Sequence, residues 1–385
     1  MEKKAEVEII SRKAVKPSSP TSPQSRNLDI SLLDQVIPSI YTAVILFYNP
    51  NINKNNDSSF RPPSEKSDLL QKSLSKILLN FYPFAGRLNN NTGIECDDEG
   101  VYFVDAEINC GLSEFLKEPD PSLLNHLLPT SDPKATELAR NAVLLVQLTV
   151  FNYGGIAVSV CPSHKIADAS SLCEFVKSWA AVAREHDEVA CPEFIGVSML
   201  PPTTDQAIEY SLEAPGEHFI MKKFVFDVSK LVNLKAKIGR CFKPALLSQT
   251  VNEESKMEVD DIVAKMRKGL KELCNEKANR FKGEDGYSIF LEYSKLTGEF
   301  CKMGVKMYNC SSRCKFPLYE VDFGWGKPTW ITNPRYAMNA ITLMGTKKGD
   351  GIKAWVTVEK QEMAVFKSNE ELLDFASINP SVIII

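Results

Sequence analysis

The sequence predicts an α/β protein of two parts, and three observations carry that reading. Tyr41 to Tyr48 is a continuous apolar run suited to a buried strand. Leu144 to Val150 and Ile156 to Cys161, joined through Asn152-Tyr153-Gly154-Gly155, read as a β-hairpin whose Gly-Gly pair is expected to supply the positive φ angles of the turn. Leu70, Leu74, Ile77, Leu78 and Phe81, and later Leu172, Phe175, Val176, Trp179 and Ala183, recur at helical spacing. With 385 residues the chain is long enough for two domains.

Between these anchors the elements follow in order. A polar, asparagine-rich loop spans Asn49 to Ser59, and the Tyr82-Pro83 step closes the helix before it. Ile94 to Cys96 and Val101 to Val104 flank Asp97-Asp98-Glu99-Gly100, which reads as a hairpin turn. Ser171 and Glu174 have the spacing of a capping box at the start of the second helix. A polar, proline-containing stretch from about Glu185 to Gly216, with Pro201-Pro202-Thr203-Thr204 inside it, is the linker. It divides an N-terminal domain, 1–184, from a C-terminal domain, 217–385. The second part holds a strand at Phe224 to Phe226, a helix at Ser229 to Ile238, and a charge-laced helix at Val259 to Leu273. Strands are expected at Leu318 to Val321, Ala340 to Met344 and Ile352 to Val358, the last two joined by Lys348-Gly349-Asp350-Gly351.

Composition narrows the function classes. Hydrophobic residues at 44% and charged residues at 24% make an ordinary globular balance. A net charge of −4 and a pI near 5.8 give no footprint for nucleic acid. No apolar run reaches membrane-spanning length, Val382 to Ile385 is too short for an anchor, and the N-terminus lacks a signal-peptide core, so the expected compartment is the cytosol. The ten cysteines include no C-x-x-C pair, and reduced thiols are expected. Cys310 and Cys314 have no histidine nearby to complete a zinc site, and no metal is expected. His126, His186 and His218 read as surface residues.

The chemistry concentrates in Ser163-His164-Lys165-Ile166-Ala167-Asp168, between a strand end and a helix start. Imidazole ordinarily titrates near neutrality, so at such a junction it can take a proton from a hydroxyl and return it. A plainer reading makes Asp168 a helix-start charge and His164 an ordinary half-buried histidine. Cys161 stands three residues before His164, which raises a cysteine-histidine nucleophilic pair, although side chains near a strand end diverge. Far downstream lies Asp322-Phe323-Gly324-Trp325-Gly326-Lys327-Pro328, whose glycines point to a backbone geometry forbidden to other residues.

Together the His-x-x-x-Asp and Asp-Phe-Gly-Trp-Gly strings resemble the two hallmarks of the plant BAHD acyltransferases. Tyr82-Pro83-Phe84-Ala85-Gly86-Arg87-Leu88, Lys16-Pro17-Ser18-Ser19-Pro20-Thr21 with Leu32-Leu33-Asp34-Gln35, and Phe224-Val225-Phe226-Asp227 agree as well, in family order as far as about Trp355. The wording of the histidine motif is most similar to the vinorine-synthase-like subgroup of alkaloid and terpenoid metabolism. The resemblance implies a two-domain chloramphenicol-acetyltransferase-like fold, with mixed sheets, flanking helices, and the histidine facing a channel between the halves. It implies transfer of an acyl group, acetyl foremost, from acyl-CoA as co-substrate to a hydroxyl or amine, with no bound cofactor, by a monomer. His164 is then the general base, with no acyl-enzyme, and Asp168 has an orienting and structural role. Asp322, Phe323, Gly324, Trp325 and Gly326 form a structural motif. Lys265, Arg267 and Lys268 have two readings, a contact to coenzyme A phosphates or a solvated face.

One departure from the family pattern stands out. After Ile238 the family continues for several tens of residues, whereas this chain jumps near Gly239-Arg240-Cys241 to Lys243-Pro244-Ala245-Leu246-Leu247. In the family the omitted stretch carries an Asn-Leu-Arg string whose arginine holds the motif aspartate. Here Asn233-Leu234-Lys235 comes earlier and ends in lysine. Two alternatives therefore stand beside the acyltransferase: a shortened form with impaired or no catalysis, and a thiol hydrolase using Cys161.

Overall fold

The structure, a computed structural model, describes residues 5–50, 62–89, 93–117, 119, 121–129, 139–186, 189–203, 218–238, 302–303, 306–334 and 338–382, with 267–269, 271, 287–289, 291–292, 295 and 299 besides. Most of the asparagine-rich loop, the linker from Thr204 to Gly216, the junction from Gly239 to Leu247, Lys265 and the tail 383–385 lie outside the described residues.

In chain order the strands of the first half are β1 (Val7–Val15), β2 (Asn27–Asp29), β3 (Val44–Tyr48), β4 (Arg87–Asn89), β5 (Gly93–Glu95), β6 (Val101–Gly111), β7 (Leu144–Asn152) and β8 (Ile156–Pro162). The second half adds β9 (Phe219–Phe226), β10 (Asn309–Ser312), β11 (Trp330–Thr332), β12 (Ala340–Gly345), β13 (Ile352–Glu359) and β14 (Ser377–Ile378). They form a six-stranded sheet in the order β1-β6-β7-β8-β3-β11, a five-stranded sheet β10-β12-β13-β9-β14, and a small sheet β2-β5-β4. Both large sheets are mixed, β6 running parallel to β7 and β10 parallel to β12.

Each sheet follows from its side-chain pattern. Every residue of β3 is buried, as its unbroken apolar run requires of an internal strand. The helices Pro63–Ile77 and Ala169–Ala183 pack on one another, and Trp179 Nε1 donates to the Leu70 carbonyl (3.3 Å) and Ser73 Oγ (3.0 Å) at their contact. In the C-terminal sheet, side chains alternate. Phe224, Ala354, Val356 and Val358 bury against Met363 of helix Lys360–Ser368, while Met221, Met344 and Trp355 face the other way into the main core. The second half also lends β11 to the first sheet, where Trp330 pairs with Phe47 and Thr332 with Ile45.

Three expectations are corrected. In the β7–β8 turn the positive φ angles fall on Tyr153 (67°) and Gly154 (92°), not on the glycine pair. Gly155 is needed for space, because a Cβ there would sit 2.7 Å from Leu112 Cβ. Asp97 to Gly100 is not a hairpin turn. β5 pairs with β2 and β4 while β6 pairs with β1 and β7, so the turn passes the chain between sheets, and Asp98 anchors it by accepting from Thr21 N (2.8 Å) and Thr21 Oγ1 (2.6 Å). Leu318 to Val321 is a 3-10 turn at Leu318–Glu320 instead of a strand, with the Tyr48 hydroxyl, rather than a neighbouring strand, satisfying the Val321 carbonyl at 3.1 Å.

No helix among the described residues is long and apolar enough to cross a membrane.

Candidate active site

β8 delivers His164 by continuing its pairing with the chain before β3. Ser163 bridges to Tyr41, and the His164 N–H donates to the Ile40 carbonyl at 2.8 Å. The chain then tightens, since Ile166 N and Ala167 N both donate to the Ser163 carbonyl (3.1 and 3.2 Å). That turn brings the Ala167 carbonyl to 3.3 Å from His164 Nδ1. A carbonyl oxygen only accepts, so this contact requires the proton on Nδ1, and among the described residues no hydrogen bond engages Nε2. The ring is half-buried.

Asp168 ends the turn and caps the next helix. Its Oδ1 accepts from the Ser171 N–H at 2.8 Å, and its side chain is exposed. The expected capping box of Ser171 with Glu174 is therefore displaced by three residues: the helix begins at Ala169, Ser171 lies in its first turn, and Glu174 pairs with Lys177 at 3.1 Å. Asp168 is the better cap because an N-cap residue must have extended backbone, which it does at ψ −176°.

Lys165 was not foreseen from the sequence. It is buried, and its Nζ donates to the carbonyls of Asp34 (3.4 Å) and Gln35 (3.2 Å) in helix Leu32–Val36. That helix carries a real capping box, Ser31 with Asp34, and is tied on by Gln35, which exchanges two bonds with Thr203 (2.8 and 3.0 Å). Burial pushes the Asp34 carboxyl up, against the Ser31 hydrogen bonds and the Lys165 charge, which hold it down. An S-x-x-D pattern in Ser31-Leu32-Leu33-Asp34 was a signal for the capping box; nothing in the sequence marked the lysine.

The second motif closes on itself. Asp322 Oδ1 accepts from Gly324 N (2.8 Å) and Gly326 N (2.9 Å), with φ of 101° and 100° at the glycines. Phe323 and Trp325 consequently stack at 5.5 Å, Phe323 meets Trp179 edge-on at 5.0 Å, and Lys66 Nζ lies 5.8 Å over the Trp325 ring. The motif is thereby clasped to the core beside the helix that follows His164, in contact with the C-terminal half of that helix through Trp179.

The other candidates separate from this site. Cys161 is wholly buried, so its own thiol is not accessible to a substrate. His126, His186 and His218 are exposed, as are Arg267 and Lys268. Cys310 is exposed and Cys314 half-buried, and no group of three or more metal-ligating side chains occurs among the described residues. A cavity of about 450 Å³ flanks the motif, lined by Ser31, Asp34, Phe84, Ile166, Ser171 and Glu174 among others. His164 does not line it, so the reactive side is assigned from the imidazole and not from that cavity.

Comparison with known proteins covers the whole length. The Transferase family model matches residues 5–243 and 235–373. The two matches meet at 235–243, where the sequence pattern jumps. The epi-neemfruitin B 7-O-acetyltransferase of Melia azedarach is 30% identical over 454 residues, covering 98% of this chain and 99% of that protein. An alignment longer than the 385-residue chain means that the relative has residues with no counterpart here. Stemmadenine O-acetyltransferase of Catharanthus roseus is 30% identical, covering 94% of this chain and 97% of that one. The crystal structure of vinorine synthase superposes with a TM-score of 0.78 at 28% identity, over 97% of this chain and 99% of its own.

Proposed function

Because the chain belongs to the Transferase family, the plant BAHD acyltransferases, we propose that it moves an acyl group, acetyl foremost, from acyl-CoA to a hydroxyl or amine of a specialised metabolite. The carrying observation is the Nδ1 contact to Ala167, which leaves Nε2 of His164 free to act as a base. In this reading Nε2 takes the proton of the acceptor, whose oxygen attacks the thioester carbon. The tetrahedral intermediate collapses, the C–S bond breaks, and the imidazolium gives its proton to the departing thiolate. No acyl-enzyme forms. Acyl-CoA is a co-substrate and no cofactor is resident.

His164 faces a channel between the domains 1–184 and 217–385, and Asp168 holds its loop from behind. Asp322 to Gly326 support the fold and touch no reacting atom. Relatives named for acetylating a limonoid-type alcohol and the alkaloid stemmadenine favour terpenoid or alkaloid hydroxyls as acceptors. The enzyme acts as a cytosolic monomer. Free thiol release from acetyl-CoA over a panel of such alcohols tests the reading, and undiminished release by a folded His164→Ala protein would sink it.

A second reading is favoured by the break in the family match at 235–243: a shortened form that binds but turns over poorly. Grafting a relative's segment at Gly239 tests it. A shortened form gains acyl-CoA affinity, thiol release and unfolding midpoint from the graft; equal rates and equal stability in the two proteins eliminate it.

A further inference from the structure

One face of the C-terminal sheet carries three cations with no carboxylate among the described residues to neutralise them. Ala354 pairs with Leu343 and Phe224, all in the apolar cluster under helix Lys360–Ser368, so Lys353 and Trp355 point the opposite way, towards the first sheet. Lys223 stands opposite Trp355 and shares that face. Arg313 follows β10 directly, and its N–H donates to the Leu343 carbonyl at 2.7 Å, which sets it beside Met344, the partner of Lys353.

Their partners among the described residues are all neutral. Lys353 Nζ donates to the Tyr319 hydroxyl (2.8 Å) and the Ile331 carbonyl (3.1 Å), and Lys223 Nζ to the Pro380 carbonyl (2.8 Å). Arg313 Nη1 donates to the Ala43 carbonyl at 3.3 Å. Glu359, on the same face of β13, is at the far end of the strand and pairs with Lys306 at 3.2 Å. Among the described residues no carboxylate forms an ion pair with Arg313, Lys223 or Lys353. Both lysines are buried, and Arg313 is half-buried. Burial pushes the amines down, Lys353 to about 7 and Lys223 to about 8. The lysines can thus shed their charge, whereas a guanidinium, even pushed down to about 10, keeps it at neutral pH. An enclosed fixed charge without a counter-ion is unfavourable, and an incoming anion relieves it.

Arg313 is also tied to the segment that holds His164. The Thr42 N–H bonds towards β8, and the Phe47 carbonyl faces β11, which ends opposite Ile45. Arg313 takes the next outward carbonyl of that edge, Ala43. Ile40, which holds the His164 N–H, is three residues away, roughly 10 Å along an extended chain.

We propose that Arg313, with Lys353 and Lys223 behind it, receives the carboxylate of an anionic acceptor, so that this enzyme acylates hydroxy acids whose alcohol and carboxylate are about 10 Å apart. This rests on the acyltransferase reading. With Nη1 committed to Ala43, the planar guanidinium keeps further N–H donors, enough for a two-point bond to carboxylate. A phosphate of acyl-CoA has the same chemistry, but it sits at the far end of the pantetheine arm from the thioester, whereas Arg313 holds a carbonyl three residues from the one that holds the His164 N–H.

The test uses the whole chain with three alcohol acids, oleanolic acid, 12-hydroxydodecanoic acid and 3-(4-hydroxyphenyl)propionic acid, each beside its methyl ester. Thermal-shift titration reads binding without turnover, so it stands even where His164 chemistry fails; thiol release from acetyl-CoA reads turnover. At least one acid should bind and react about 10-fold or more better than its ester, the size of a charge-assisted hydrogen bond. Arg313→Gln should bring that ratio to about one and Arg313→Lys should keep part of it. No acid preference in the unmodified protein overturns the proposal without any variant. So does an Arg313→Gln protein that raises the KM for acetyl-CoA while keeping the acid preference, which would assign the guanidinium to a phosphate.

Discussion

The Ala167 carbonyl lies 3.3 Å from Nδ1 of His164, inside a turn that both residues build. The imidazole is therefore oriented by its own loop, and Asp168, one residue on, acts by fixing where that loop ends and the helix begins.

Two substitutions at the motif should separate these roles. His164→Ala or His164→Gln should lower turnover by about 10²–10⁴-fold at unchanged stability, as for loss of a positioned base. Asp168→Asn keeps a side-chain oxygen for the Ser171 N–H and should lose little, while Asp168→Ala should cost about 1 kcal/mol of stability. Chemical denaturation with parallel kinetics reads both. Equal damage from Asn and Ala would show that the charge of Asp168, and not its capping oxygen, is what the loop needs.

At the second motif, stability and activity should fall together. Gly324→Val forces a branched side chain onto φ of 101°, at about 1–3 kcal/mol, and Asp322→Ala removes the acceptor of two exposed N–H groups, at about 0.5–1.5 kcal/mol for each bond. Soluble yield and melting temperature check this. A Gly324→Val protein of native stability with only a changed KM for acyl-CoA would argue for direct contact with the co-substrate.

Lys165→Met should detach helix Leu32–Val36 from the histidine turn. The two carbonyls of Asp34 and Gln35 lose a charged donor, at about 1.5–3 kcal/mol, and kcat should fall as the turn loosens. Amide exchange at Asp34 to Val36 reads the detachment directly; unchanged protection there refutes it.

The buried amines give stability a pH dependence of definite sign. Lys353 is held down to about 7 from 10.5 when folded, so between those values the unfolded chain binds a proton that the folded chain does not. Stability should rise from about pH 7 to about pH 9, with Lys223 adding to the slope from about 8 upward. Above 9 the buried Cys96 thiol, pushed up to about 12, works in the opposite direction. Urea midpoints across that range check the slope, which Lys353→Met should flatten; an unaltered slope in that variant removes Lys353 as its source.

Much of this was legible because local patterns agreed with their tertiary use. The β7–β8 hairpin, β3, both long helices and the strand pair β12–β13 follow from periodicity and turn residues, and the glycines around Trp325 from their rarity in such a string. What failed were judgements needing a neighbour far along the chain. Whether Asp97 to Gly100 joins strands of one sheet or of two depends on β2 and β1, and no local signal carries that. Lys165 and Arg313 were passed over for the same reason, since their meaning lies in carbonyls of remote segments, Gln35 and Ala43.

The pairing of β11 with β3 sets a timetable for the newborn chain. Thr332 and Ile45 stand about 290 residues apart in sequence, a loop whose closure entropy must be met before the edge of the first sheet is covered. During synthesis β3 waits with that edge bare until the ribosome has passed the second motif, and a bare apolar strand is an invitation to pair with another molecule. Truncations that stop short of Trp330 should therefore aggregate rather than yield a quiet half-protein, and yield on expression should depend on chaperones more than the stability of the finished fold would suggest.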